Sequence, residues 1–399
     1  MSKPTFRQIL IALFIASAAS ALLFGMHYYI ARRLVLDPGI AEPWRSALLA
    51  AVATLGLSLV AQPFAEHLVR PPASRVISWP ASLWMGFAFL LVNLLFFSDA
   101  VLWLAGGAAL AASDGIADWE PAAGVRASLV VAVALVAGAF GLRSAMRPPV
   151  LRRVEIALER WPQSLEGYRI VQISDVHIGP ILGRAFAEQL VARANALEPD
   201  LVGMTGDLVD GGVRQLADEV APFARLRARQ GVYFVTGNHD HYSGARSWCE
   251  KAQELGMRVL RNQRVEIRDG DAVFDLIGVD DHRGSHFGGS GGEDLEAAFD
   301  GRDRARPAVL LAHDPSTFKR ASAMGIDLQI SGHTHGGQIW PFQYLVRLAI
   351  PFVAGHFRLN GADLYVSRGS GFWGPPMRLL APAEITEITL RRGPAIASD

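Results

Sequence analysis

Through the first 145 residues the apolar positions fuse into long runs, and beyond them they split into short bursts separated by polar turns. Residues 9–30 form the first run, interrupted only by His27, Tyr28 and Tyr29 near its end. That is long enough to cross a hydrocarbon core of roughly 30 Å. Three more runs follow at about 46–64, 81–103 and 127–141, the last so short that it must tilt or extend slightly to span. Four such runs joined by short polar loops predict an all-α transmembrane region over residues 1–145, against the alternative of buried helices in a large soluble core. Lys3 and Arg7 precede the first run and small residues occupy 17–22, so a cleaved signal peptide is the competing reading of that segment. The apolar stretch continues past the small residues, which favours a retained span.

Positive charge in the short flanks sets the expected orientation. Lys3, Arg7, Arg70, Arg75, Arg143, Arg147, Arg152 and Arg153 fall on one side of the four-span scheme. Arg32, Arg33, Arg45 and Arg126 fall on the other, where the third loop adds only the acids Asp114, Asp118 and Glu120. Both termini are therefore expected in the cytoplasm, and loss of the first segment would leave three spans with the rest of the chain still inside. Asn93 and Asp99 sit at the end of the third run, and an ionisable group inside lipid would be a functional candidate. The plainer expectation is that this span ends near Phe97. The runs lack the paired, Gly- or Pro-broken segments of a transporter, which points to anchoring or lipid access.

Residues 146–167, with Pro148, Pro149, Pro162 and several arginines, read as a basic linker at the membrane surface. From 168 to 399 the chain reads as a soluble α/β domain. Apolar strands at 169–174, 201–205 and 232–236 alternate with helical stretches at 185–197, 215–229 and 245–255, at the roughly 30-residue spacing of βαβ units. Each strand is a continuous apolar run, as in a parallel sheet covered on both faces. Shorter strands at 257–260, 265–267, 273–278, 309–312, 328–331, 364–367 and 385–390 predict a second sheet, and the glycine-rich segment 284–292 predicts a loop able to act as a lid.

Composition sharpens this division. The chain has 399 residues and is 51% hydrophobic, with the apolar excess confined to its first part. Lys plus Arg and Asp plus Glu both number 38, which gives no argument for nucleic acid as a partner. The single cysteine, Cys249, excludes an internal disulfide.

The chemistry lies where strands end. Asp175 and His177 follow the first soluble strand, Asp207 the second, and Asn238, His239 and Asp240 the third; His313 and the pair His333 and His335 follow two later ones. Ligands of parallel α/β sheets gather beyond the carboxyl ends of the strands, so these five segments should converge. Carboxylate, imidazole and amide donors without cysteine suit Mn, Fe or Zn in a catalytic site. Seven donors exceed the needs of one ion with open positions, and two ions sharing a carboxylate solve this. Such a pair lowers the pKa of a bridging water and stabilises in-line displacement at phosphorus.

The blocks Asp175-x-His177, Gly206-Asp207, Gly237-Asn238-His239-Asp240, His313 and Gly332-His333-x-His335 resemble, in order and spacing, those of the calcineurin-like metallophosphoesterases over about 168–390. Gly336-Gly337-Gln338 and the segment from Arg368 through Trp373 are similar to the membrane-associated branch of YkuE- and YaeI-like proteins and the transmembrane protein with a metallophosphoesterase domain. The resemblance implies a four-layer α-β-β-α sandwich with two mixed β-sheets. It implies that Asp175, His177 and His335 bind one ion and Asn238, His313 and His333 the other, with Asp207 bridging. It also implies that His239 is the general acid, positioned by Asp240, with Asp210 supporting ligands from behind.

The function expected is a membrane-anchored di-metal phosphohydrolase at the cytoplasmic face, using a metal-bridging hydroxide on a phosphorylated lipid or lipid-linked nucleotide. Relatives of this kind include enzymes that cleave the pyrophosphate of UDP-diacylglucosamine. The alternatives are a phosphodiesterase or phosphoprotein phosphatase acting on a soluble small molecule or protein, and a non-catalytic membrane metal sensor. Arg246, Arg283, Lys319 and Arg368 could meet a substrate phosphate but read as surface charges, and Trp373 reads as a wall of the crevice.

Overall fold

The computed structural model describes residues 6–112, 123–287 and 291–394. The acids of the third loop and residues 288–290 of the expected lid lie outside the described residues. The chain divides into two units, Met1–Ala65 with Val76–Phe140, and Glu66–Arg75 with Gly141–Asp399.

Four helices carry the apolar runs: α1 (Phe6–Ala31), α2 (Trp44–Leu68), α3 (Arg75–Ala112) and α4 (Ala123–Ala145). Among the described residues, Trp44–Glu66, Arg75–Ala105 and Ala123–Ala145 are long and apolar enough to cross a membrane. The last is longer than the sequence pattern suggested, because Arg126 and Arg143 lie inside the helix; its 23 residues reach about 35 Å without extension. The third helix does not end near Phe97. It runs on to Ala112, and the Asp99 carboxylate accepts hydrogen bonds from Tyr29 Oη at 2.7 Å, Arg33 Nη2 at 2.7 Å and Arg126 Nη1 at 2.8 Å. Two guanidinium partners balance the acid, which explains how it is accommodated in a helix of this kind.

The second unit contains two six-stranded mixed sheets. The first has β1 (Val150–Leu158), β2 (Tyr168–Ile173), β3 (Leu201–Thr205), β4 (Val232–Val235), β5 (Arg258–Val259) and β12 (Glu384–Arg392), in the order β1-β12-β2-β3-β4-β5. The second has β6 (Gln263–Asp269), β7 (Ala272–Gly278), β8 (Ala308–Leu311), β9 (Leu328–Ser331), β10 (Gly355–Leu359) and β11 (Ala362–Val366), in the order β10-β11-β9-β8-β7-β6. Strands β2 to β5 are parallel, as are β7, β8, β9 and β11.

Strand periodicity explains the layers. Ile170 and Leu201 face a core shared with Leu276, Val309 and Ile330 of the other sheet, while their neighbours Val171 and Val202 face α5 (Arg184–Asn195), α6 (Val213–Val220) and α8 (Ala245–Glu254). In the second sheet Val309 and Leu311 face the shared core, and Leu310 packs toward α9 (Leu295–Phe299) and α10 (Phe318–Ala323). Successive side chains point to opposite faces, so both faces being covered requires unbroken apolar strands. The result is the expected helix, sheet, sheet, helix stack.

Three expectations are corrected. The segment read as a linker contains β1, paired parallel with β12 through Val150 to Leu158. Its arginines lie on a sheet edge, where charge protects an open strand, and Ile156 and Leu158 are buried beneath. Strands β5 and β12 belong to the first sheet and not the second. The helix expected at 215–229 ends at Val220 and continues as a 3₁₀ turn, Ala221–Arg225, with Pro222 at its start.

Candidate metal centre

The carboxyl ends of five parallel strands bring the expected residues together. Asp175 and His177 follow β2, Asp207 follows β3, Asn238 and His239 open the short helix α7 (Asn238–Tyr242) after β4, His313 follows β8, and His333 and His335 follow β9. Donor atoms of Asp175, His177 and His335 lie within 4.8 Å of one another, and so do those of Asp207, His313 and His333. Asp207 Oδ2 is 3.2 Å from His313 Nε2 and 3.8 Å from His177 Nε2, so it faces both groups.

The donor set fits two cations. His177 Nε2 and His335 Nε2 face each other at 3.1 Å, and His333 Nδ1 and His313 Nε2 at 3.2 Å. Asn238 is buried, and its Oδ1 has no hydrogen-bond partner. An orphaned buried amide oxygen costs about 1–3 kcal/mol, which a cation would offset.

Backbone geometry enforces the convergence. Asp175, His177, Asp207, His333 and His335 all have φ between 50° and 73°. This left-handed conformation is strained for such residues and persists where surrounding packing over-determines it. Close approach also demands two glycines: a Cβ on Gly237 would run into the Asp207 carboxylate, and one on Gly332 into Ser174 Oγ and the Asp175 carboxylate.

Groups behind the ligands aim them. The His177 Nδ1–H donates to Asp210 Oδ1 at 2.9 Å, that of His313 to the Thr205 carbonyl at 2.8 Å, and His333 Nε2 faces Asp314 Oδ2 at 3.5 Å. An acceptor outside fixes the proton there and leaves the inner nitrogen free to ligate. His335 differs, because its Nδ1 faces Arg378 Nη2 at 3.1 Å. Arg378 is fully buried and also donates to the carbonyls of Arg368, Gly371 and Ala381, tying down the loop that closes the site.

Electrostatics follow these contacts. Burial opposes charge on His177, but the carboxylates of Asp210, Asp207 and Asp175 outweigh it and push its pKa up to about 9. Burial would raise Asp207, yet the imidazoles of His313, His239 and His177 hold it well below the usual carboxylate range. Burial, then the His313 imidazole, lowers His333 to about 4; burial, His177 and Arg378 hold His335 well below the usual imidazole range, so both are neutral donors at neutral pH.

His239 lies at the rim. Its backbone N–H donates to Asp207 Oδ1 at 2.7 Å, and its ring stands edge-on to His177 with centroids 4.8 Å apart and contacts Tyr242 and Trp373. The carboxylate that reaches its Nδ1, at 2.7 Å, is Asp210 and not the expected Asp240. Asp240 points inward, accepting from the backbone N–H groups of Gly237, Asp207 and Leu208, and burial followed by the Asp207 charge pushes it up to about 7. Its place three residues into the turn makes it a cap for its own short helix and for the β3 turn.

Of the other polar residues, Arg368 pairs with Glu384 at 2.9 Å and Arg246 with Glu250 at 3.1 Å. The charge of Arg283 contributes to lowering His333. Lys319 lies on α10. Sequence reasoning passed over Asp281, Asp314 and Arg378. Asp281 is buried just beyond β7, so the strand-end rule that found the ligands could have found it. Arg378 carries no such signal, since its role comes only from the His335 ring and the loop carbonyls it meets in the folded chain.

Residues 168–337 match the family described as calcineurin-like phosphoesterase. The chain is 40% identical over 282 residues to a "Transmembrane protein with metallophosphoesterase domain" from Bos taurus, covering 68% of this chain and 63% of the relative. It therefore spans less than two thirds of that relative's length. It is 32% identical over 243 residues to an uncharacterized metallophosphoesterase from Aquifex aeolicus, covering 60% of this chain and 91% of that relative. Similarity to the uncharacterized metallophosphoesterase YkuE of Bacillus subtilis is 28% over 279 residues, covering 67% and 95% of the two chains.

Proposed function

The chain belongs to the calcineurin-like phosphoesterase family, and from that premise we propose that it is a membrane-anchored, di-metal phosphoester hydrolase acting on a phosphorylated lipid or lipid-linked substrate. The observation that carries the reading is Asp207, which faces both donor clusters, together with the orphaned buried oxygen of Asn238. Asp175, His177 and His335 would hold one Mn, Fe or Zn ion, Asn238, His313 and His333 the other, and Asp207 both. Bound there, the ions supply an acidic water and positive charge for the phosphoryl oxygens.

The remaining work falls to side chains of this chain. His239 holds a proton at Nε2 and delivers it to the leaving oxygen, while Asp210, bonded to Nδ1, fixes ring and tautomer. Asp240 keeps the turn carrying His239 closed on Asp207. Trp373 and Tyr242 flank the imidazole and limit water around it.

In this reading α1 joins the three apolar helices as a fourth span, and the hydrolase unit faces the cytoplasm. Anchoring concentrates an amphiphilic substrate beside the site, which favours the lipid class. Turnover of a bilayer-resident phosphoester should exceed that of a soluble aryl phosphoester and collapse in His239→Ala. Equal turnover of both would sink the lipid assignment. Two bound ions in the wild-type protein without hydrolysis of any phosphoester would sink the enzyme assignment in favour of a sensor.

A further inference from the structure

The loop and helix following His335 invert the usual partition of apolar and polar groups. The eight-residue helix α11 (Phe342–Ala349) has no buried residue. Tyr344, Leu345 and Leu348 share its outer face and are 60%, 59% and 85% exposed, while its less exposed positions are Gln343 and Val346. Isolated helices this short are unstable in water and ordinarily owe their stability to an apolar face packed against something. Trp340 and Leu380 extend the same face: the Trp340 N–H donates to the Leu379 carbonyl at 3.1 Å, and Leu380 is 72% exposed. Trp373 continues it to the rim of the metal centre, where its ring touches His239 and its backbone is held by Gln338.

The position of this face identifies its occupant. The Arg378 N–H donates to the carbonyl of Gly141 at 2.9 Å, and Gly141 lies in the last turns of α4, a membrane-crossing candidate. Leu380 is two residues further on, at most about 7 Å of chain from that anchor. A bilayer is thus within reach, and the composition suits its interface: Trp and Tyr favour the headgroup level, Leu side chains enter the acyl boundary, and the exposed Arg347 at the edge of the face can meet phosphates.

We propose that Trp340, Tyr344, Leu345, Leu348, Trp373 and Leu380 form a docking face that seats the rim of the metal centre in the bilayer interface. A phosphoester carried by a lipid then reaches His239 without leaving the membrane. The docking depends only on the anchor and the exposed face, and stands or falls separately from the identity of the substrate.

The test uses the full chain with its metals in phosphatidylcholine and phosphatidylglycerol nanodiscs. Leu345→Cys, Leu348→Cys and Leu380→Cys each receive an environment-sensitive fluorophore in a Cys249→Ser background, and nitroxide-bearing lipids are added as quenchers. Arg246→Cys, at an exposed position of α8, is the solvent reference. Severalfold stronger quenching at the three face positions than at 246 supports the proposal. Quenching no stronger than at 246 overturns it, as does energy transfer between labels of two chains in place of lipid quenching, which would make the face a self-association surface. A Leu345→Glu/Leu348→Glu variant adds an independent readout: lost lipid quenching at 380 with turnover of a soluble aryl phosphoester preserved supports docking, and undiminished quenching at 380 overturns it. Should docking hold while lipid and aryl phosphoesters are hydrolysed equally, the lipid-substrate reading alone fails.

Discussion

The metal centre and the α11 face lie side by side and break the same rule in opposite directions. In the centre, carboxylates and imidazoles are buried, with Asp175 and His313 almost wholly removed from solvent. On α11, Leu345 and Leu348 stand in solvent. Burial of charge is tolerated only where partners compensate it, and the centre is dense with partners: Asp210, Asp314, the Thr205 carbonyl and backbone N–H groups all hold ligands in place. The outer face of α11 has no comparable framework. The first region is over-determined by the protein; the second needs a surrounding apolar phase.

The contrast is broken most severely by Asp207→Asn. Losing the shared carboxylate should strip both ions and bring phosphoester hydrolysis to background, with elemental analysis of purified protein reading the metals directly. An active variant retaining two ions would end the bridging assignment. His239→Gln comes next: turnover should fall by about 10²–10⁴ while both ions stay, because its ring is not among the expected donors. Metal loss in that variant would move His239 into the ligand set.

Asp210→Asn probes the support behind the ligands. Because one carboxylate holds both His177 and His239, metal affinity should weaken by roughly 10- to 100-fold, and turnover at saturating metal should still fall as the His239 ring loses the carboxylate that orients it. Isothermal titration and rates measured at saturating metal separate the two effects. The mildest perturbation is removal of metal from the wild-type protein. His177 has a folded pKa raised from 6.5 to about 9. Its ion pairing therefore stabilises the metal-free fold fully below pH 6.5 and is lost as pH rises through 9. Metal binding must expel that proton, so affinity should climb by up to about tenfold per pH unit across this window and level off above it. A flat affinity over the window would show that His177 is already neutral.

Legibility in the sequence followed burial. Strands β2, β3, β4, β8 and β9 are interior, their apolar runs are unbroken, and each was found with the donors at its end. The two strands that escaped, β1 and β10, are edges of their sheets. An edge strand has one side free for charge, so Arg152 and Arg153 made β1 resemble a linker and Gly355 to Leu359 carried too little apolar signal. The pairing of His239 with Asp210 in place of Asp240 was equally hidden, since Asp240 is adjacent in sequence but turned inward by three backbone donors.

The linear order of residues by itself determined the division into apolar helices and an α/β unit, the five donor segments and the residue types able to hold two ions. Those properties depend on local periodicity and on chemistry carried by individual side chains. Tertiary structure alone decided which carboxylate aims which ring, placed Arg378 behind His335, and left the apolar face of α11 exposed beside the site. Each of these depends on contacts between segments far apart in the chain, where burial and hydrogen-bond competition choose among partners that local sequence cannot rank.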